Sequence, residues 1–329
     1  MAFPELPDLE LSQAGRKAPV PVGLLSGKRT PWRRVASLGT ATVNRLLDKL
    51  TPRGLLHRFV QRGLQFTDVD VTLERAGPGL DGLRIAFLSD LHAGSFMSEL
   101  DLCRIFARIA RLEPDLVCLG GDLINTFDRE ILLLREPLRL LSPPLGVFAV
   151  PGNHDHFYGR DIGLWEAFLQ AQGVRVLING GERVERDGDS LWVAGVDDLT
   201  EGKPDLAAAL SGHRDGEPVL LLSHHPDFFF EAAAAGVELT LAGHTHGGQV
   251  MLFGRTPLKH SKFGYWGGLY QEEEASLYVS RGVGVTFLPL RIGAPSEVPM
   301  LRCRVPAERR RSGAAEEPAN VAEALHSSV

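Results

Sequence analysis

Apolar residues along the chain fall into short continuous runs separated by stretches with helical spacing, the pattern of buried strands alternating with amphipathic helices. The run Arg84 to Leu88 ends at Ser89-Asp90, and Ser98 then opens a helix. Ser98 with Asp101 resembles a capping box, while Leu102, Ile105, Phe106 and Ile109 form the buried stripe. Leu116 to Leu119 is the next strand, stopped by Gly120-Gly121, and Val147 to Val150 follows, stopped by Pro151-Gly152. A helix through Leu164, Trp165, Phe168 and Leu169 ends at Gly173. Val174 to Ile178, Leu191 to Val196, Val219 to Leu222 and Glu238 to Leu241 read as further strands, with connecting helices at Ala207 to Leu210 and Glu231 to Ala235. Alternation of this kind predicts an α/β chain with layered sheets.

Ahead of this region the pattern differs. The first thirty or so residues are rich in Pro, Gly and charge without periodicity. Val43, Leu46, Leu47 and Leu50, then Leu55, Leu56, Phe59 and Val60, carry helical spacing with Arg45 and Lys49 on other faces. Two short basic amphipathic helices are expected, packed onto the domain or lying on an anionic membrane surface. The charge adds to this picture. Residues 1–63 hold eleven Lys+Arg against four Asp+Glu, a balance of +7 that leaves the remainder at -13 of a total of -6. We therefore expect a basic N-terminal extension over 1–75, a main folded domain over 76–305 and a disordered tail over 306–329, which is charged and then rich in Ala, Glu and Ser.

An acidic body disfavours long polyanionic substrates and leaves small phosphoesters open. No run of eighteen apolar residues appears, so no transmembrane helix is expected. Arg33 and Arg34 form a twin-arginine pair, but the apolar stretch Val35 to Val43 is short and closed by Asn44 and Arg45, a poor export signal. Cys103, Cys118 and Cys303 are scattered and odd in number, which favours a reducing compartment. The expected location is cytoplasmic, peripheral on the membrane if the basic segment binds there.

Nearly every cluster of Asp, Asn and His directly follows an apolar strand. Asp90 and His92 follow the first, Asp122 the second, and Asn153, His154 and Asp155 the third. His224 follows Leu220 to Leu222, and His244 with His246 follows Leu239 to Ala242. Ligands in α/β sheets bind at the carboxyl ends of strands, so these five segments should converge on one rim. Carboxylates, imidazoles and an amide oxygen without thiolates suit Mn, Fe or Zn, with Mg possible. Seven candidate ligands exceed the needs of one ion, and an aspartate shared between two ions accounts for the surplus. Gly121, Gly152, Gly243 and Gly247-Gly248 would allow the tight turns such a rim requires.

The ordered motifs Asp90-x-His92, Gly121-Asp122, Gly152-Asn153-His154-Asp155, His224-x-Pro226 and Gly243-His244-x-His246 resemble those of the calcineurin-like metallophosphoesterase superfamily over about residues 80–305. The resemblance implies a layered β-sandwich flanked by helices and a two-metal phosphoesterase. It implies one metal on Asp90, His92, Asp122 and His246, and a second on Asp122, Asn153, His224 and His244. A metal-bridging hydroxide would be the nucleophile, with His154 acting on the leaving alkoxide and Asp155 orienting its imidazole. Phe87 to His92, Gly243 to Gln249 and Leu277 to Gly282 are similar to a bacterial branch that includes membrane-associated phosphodiesterases and some UDP-2,3-diacylglucosamine hydrolases of lipid A synthesis. A substrate that is small or lipid-linked follows from that likeness, and Arg281 and Arg291 are candidate phosphate contacts. The competing readings are a nuclease, a broad phosphomonoesterase, and a scaffold on a decayed fold; the last predicts missing ligands, and none is missing.

Overall fold

The computed structural model describes residues 63–312 apart from 157–161, 252–255, 257–259 and 287–288. Both expected amphipathic segments, and residues 1–62 as a whole, lie outside the described residues, as does the tail beyond 312. Two six-stranded sheets make the core. Across the first run β1 (Gln65–Thr72), β12 (Glu297–Arg304), β2 (Arg84–Leu88), β3 (Leu116–Leu119), β4 (Val147–Ala149) and β5 (Arg175–Val176). Across the second run β10 (Gly268–Glu272), β11 (Ala275–Val279), β9 (Leu239–Ala242), β8 (Val219–Leu222), β7 (Asp189–Gly195) and β6 (Gly180–Arg186).

The unbroken apolar runs have a simple cause: the central strands are covered on both faces. Ile85 and Phe87 of β2 point between the sheets, into a core with Leu116, Phe148, Leu220, Leu222, Leu239 and Leu241. Ala86 and Leu88, on the alternate face, pack with Leu102, Ile105, Phe106 and Ile109 of helix α1 (Glu99–Arg111). Helices α2 (Arg135–Arg139) and α3 (Gly163–Ala171) add Leu138, Trp165 and Leu169 to that layer. The outer face of the second sheet takes Leu206 and Ala209 of α4 (Leu206–Ala209) and Ala232 of α5 (Phe229–Ala234). The expected sandwich flanked by helices is thus the observed architecture. α1 begins as its sequence predicts, with Ser98 Oγ accepting from the Asp101 amide at 3.3 Å and Asp101 Oδ2 accepting from the Ser98 amide at 3.2 Å. Cys118 and Cys303 are buried between the sheets, and all three cysteines are free.

Strands β2, β3, β4 and β5 are mutually parallel, as are β7, β8 and β9, so the candidate ligands leave their sheets at the strands' carboxyl ends. Pattern alone missed β1, β6, β10, β11 and β12. β1 carries Gln, Thr and Asp among its apolar residues and is largely uncovered, yet it pairs with β12 in parallel over its whole length. The folded sheet therefore takes in Gln65–Thr72, which the expected boundary at 75/76 assigned to the N-terminal extension; a backbone ladder holds it, and ladders leave little trace in side-chain period. At the other end, Ala307–Ser312 forms a short helix, α6, where the disordered tail was expected to begin. Arg310 secures it through the Val305 carbonyl at 2.7 Å and Asp81 at 3.6 Å.

Candidate metal centre

Residues from five loops meet at one edge of the two sheets. The backbone enters this rim in an uncommon conformation: Asp90, His92, Asp122, His244 and His246 have φ of 55°, 45°, 52°, 69° and 53°. Left-handed backbone costs a non-glycine residue about 1–3 kcal/mol, and such strain gathers where side chains must be aimed. Loop amides then hold the carboxylates. The His154 amide donates to Asp122 Oδ1 at 2.7 Å, and the His244 amide donates to Asp90 at 3.1 Å and 3.2 Å. Ser89 Oγ donates to Asp90 Oδ2 at 2.6 Å.

Asp122 stands between two imidazoles. Its Oδ2 lies 3.6 Å from His92 Nε2 and 3.3 Å from His224 Nε2. On one side, His92 Nε2 is 3.1 Å from His246 Nε2, which is 3.3 Å from Asp90 Oδ1. On the other, His244 Nδ1 is 2.8 Å from Asn153 Oδ1, and the His244 and His224 rings meet edge to face at 5.2 Å. Three groups, Asp90/His92/His246, Asp90/Asp122/His224 and His92/Asp122/His154, have ligand atoms mutually within 4.8 Å.

The donor chemistry fits divalent cations. His224 Nδ1 donates to the Gly120 carbonyl at 2.8 Å, which directs the lone pair of the neutral ring to Nε2. That atom is buried without a hydrogen-bond partner and faces a carboxylate oxygen. Lone pair and carboxylate repel unless positive charge lies between them. Burial works against charging the ring, but Asp122, together with Asp90 and Asp198, outweighs burial and raises His224 well above the usual range. A cation would satisfy the same pair of atoms. Burial pushes the remaining imidazoles to their neutral, ligating form. His92 falls to about 3 from burial and the His154 charge, and His244 and His246 fall well below their ordinary value.

Three expected site residues have other partners. Asp155 does not supply the orienting contact for the His154 ring, because both of its oxygens are taken by backbone: Oδ1 accepts from Leu123 and Ile124 at 3.1 Å and 3.2 Å, and Oδ2 from Gly152 at 2.8 Å. It ties the Asp122 loop to the Asn153 loop. The His154 Nδ1 instead meets the Asn125 carbonyl at 2.7 Å. Arg291 spends its guanidinium on the carbonyls of Gly284, Ala294, His246 and Gly282, and lies along His246 with Nη2 3.2 Å from Nδ1. Arg281 is occupied by Glu297 at 2.5 Å, the Pro295 carbonyl at 3.0 Å and Gln65 at 3.0 Å. His244 has two further imidazole neighbours, His225, which the sequence reading leaves without a role, and His260, which it does not single out. His225 and His260 bring their rings to 4.3 Å and 5.6 Å from the His244 ring. His225 adjoins a candidate ligand, which by itself assigns it no role; His260 does not directly follow an apolar run in the sequence and carries no such signal.

Residues 83–248 match the Calcineurin-like phosphoesterase family. The chain belongs to that family. Among its relatives, the YkuE metallophosphoesterase of Bacillus subtilis is 35% identical over 67% of this chain and 78% of its own. A Danio rerio protein named a transmembrane protein with metallophosphoesterase domain is 34% identical over 70% of this chain, which spans only 55% of that relative's length. A crystal structure from Thermus thermophilus superposes on 61% of this chain and 90% of its own at 16% identity, with a TM-score of 0.42. Among the described residues, no helix is long and apolar enough to cross a membrane.

Proposed function

We propose that the chain hydrolyses a phosphodiester or pyrophosphate bond with two divalent cations, one on Asp90, His92, Asp122 and His246 and the other on Asp122, Asn153, His224 and His244. The observation that carries this reading is the position of the Asp122 carboxylate between His92 and His224, one imidazole from each set. Four imidazoles, two carboxylates and one amide favour Mn, Fe or Zn over Ca or Mg. Such a cation pair supplies Lewis acidity and an acidified water. The chain's own groups do the rest. His154, held at Nδ1 by the Asn125 carbonyl, turns its other nitrogen to the leaving oxygen and delivers a proton there. Asp155 positions the two loops that carry Asp122 and Asn153, and Arg291 secures the backbone around His246.

A lipid-linked substrate is the finer reading. It draws on a largely apolar pocket of about 670 Å³ lined by Phe127, Asp128, Arg129, Ile131, Leu132, Leu164 and Phe168. One wall begins two residues after Asn125, so an alkyl chain of the alcohol could leave the scissile bond along the loop that holds His154. Residues 1–63 are the proposed membrane-contacting extension, and deleting them should release the protein from anionic liposomes.

Metal analysis of the purified protein should find about two transition ions per chain. Asp122→Ala should abolish turnover of bis(4-nitrophenyl) phosphate with loss of metal, and His154→Ala should slow turnover with metal retained. Recovery of no metal from metal-replete protein, or equal activity in the two variants, would overturn the assignment.

A further inference from the structure

The loop after β3 contains a clamp that none of the roles above uses. Glu130 Oε2 accepts from three consecutive backbone amides, those of Asn125 at 3.1 Å, Thr126 at 2.6 Å and Phe127 at 2.9 Å. Reaching back to one amide is ordinary for the third residue of a helical turn, and Glu130 holds that position in the turn Asp128–Leu134. Gathering three is a different device. The shortest of the three bonds goes to the Thr126 N–H, which shares one rigid peptide plane with the Asn125 carbonyl. On the far side of that plane the carbonyl meets His154 Nδ1 at 2.7 Å. A carbonyl can only accept, so Nδ1 carries a proton in either charge state, and the second proton of the imidazolium, on the other ring nitrogen, is the one available to the leaving oxygen.

The result is a relay of contacts: Glu130 carboxylate, peptide N–H, peptide C=O, imidazole. Negative charge at one end of a peptide polarises the carbonyl at the other and makes it a stronger acceptor. It also resists rotation of the plane, which would break the Thr126 bond, while the Asn125 and Phe127 bonds hold the flanking peptides. The imidazole so held stands edge-on to His92 at 4.6 Å, with a nitrogen within 4.8 Å of Asp122 and His92. We infer that Glu130 is a positioning residue for His154, acting through the Asn125–Thr126 peptide. The inference rests on the reading of His154 as the acid for the leaving group.

The test uses the metal-loaded full chain and two esters that differ in their need for a proton. Nitrophenolate leaves from bis(4-nitrophenyl) phosphate with little help, whereas phenolate leaving diphenyl phosphate needs more. Glu130→Ala should slow diphenyl phosphate by roughly tenfold or more and bis(4-nitrophenyl) phosphate by less than about threefold, through kcat and not KM, with metal content unchanged. Glu130→Gln keeps the size and one acceptor oxygen, so it should fall between wild type and Glu130→Ala; it also covers the case in which the alanine variant fails to fold. The double variant with His154→Ala should be no slower on diphenyl phosphate than His154→Ala alone. Additive losses, or equal slowing of both esters, would overturn the inference. The underlying acid role is read separately: His154→Ala slowing both esters alike removes it. The clamp is then decided by hydrogen exchange at the amides of 125–127, where acceleration of about tenfold or more in Glu130→Gln supports it and unchanged rates reject it.

Discussion

Gly282 lies nearly two hundred residues from Asp90 in sequence and against it in space. A Cβ at Gly282 would sit 2.7 Å from Asp90 Cβ and 3.2 Å from its Cγ and Oδ2, at a φ of +73°. To reach ordinary contact at 3.4 Å, Asp90 would retreat by about 0.7 Å. Gly282→Ala therefore carries two costs, about 1–2 kcal/mol for left-handed backbone and about 1–3 kcal/mol for the forced contact. Gly188→Ala is the natural control, because Gly188 has φ +85° and nothing within 4 Å of an added Cβ. The control bears only the backbone cost. Since ~1 kcal/mol moves Tm by about 2–4 °C at this size, Gly282→Ala should melt about 2–12 °C below Gly188→Ala. A displacement approaching 1 Å at a reacting group can cost on the order of 100-fold in rate, so the same variant should lose much of its kcat and part of its bound metal. Thermal melts, metal content and turnover of bis(4-nitrophenyl) phosphate, measured on both variants, check this. Equal melting temperatures with full metal in both would refute the packing argument.

Ser89→Ala removes the hydroxyl that donates to Asp90 Oδ2 at 2.6 Å in a fully buried setting, a charge-assisted bond worth about 1.5–3 kcal/mol; metal titration should show weakened affinity at the proposed site that includes Asp90. Asp155→Ala leaves three buried amides without their acceptor and should destabilise the chain by several-fold more in the unfolding constant than a surface Asp→Ala, read by urea unfolding. Glu217 accepts from Arg183 at 2.6 Å and 2.9 Å and from Ser190 at 2.7 Å. Burial opposes its charge, but Arg183 and Ser190 outweigh it and bring the carboxyl down to about 2 from an ordinary 4.5. A lowered folded value stabilises above the unfolded value and loses that stability as pH falls through the folded one. Wild type should therefore exceed Glu217→Gln in urea unfolding at neutral pH, with the advantage fading between pH 4.5 and 2; a constant difference across that window would refute it.

Much of this protein was legible in its sequence because the relevant signals are local. Strands such as Arg84–Leu88 and Leu116–Leu119 are short apolar runs with a stop, and the α1 cap lies within four residues. Asp90, His92, Asp122, Asn153, His224, His244 and His246 each follow such a run, and parallel strands bring their carboxyl ends to one edge. The tertiary structure alone decided what those residues lean on. Asp155 turned to backbone amides, the Asn125 carbonyl took the His154 ring, Arg291 was spent on four carbonyls, and Gly282 was pressed against Asp90. Each of these is a single contact between distant segments, or a choice among nearby acceptors. Neither leaves a period in the sequence, and both are settled only when the sheets fix which loops share the rim.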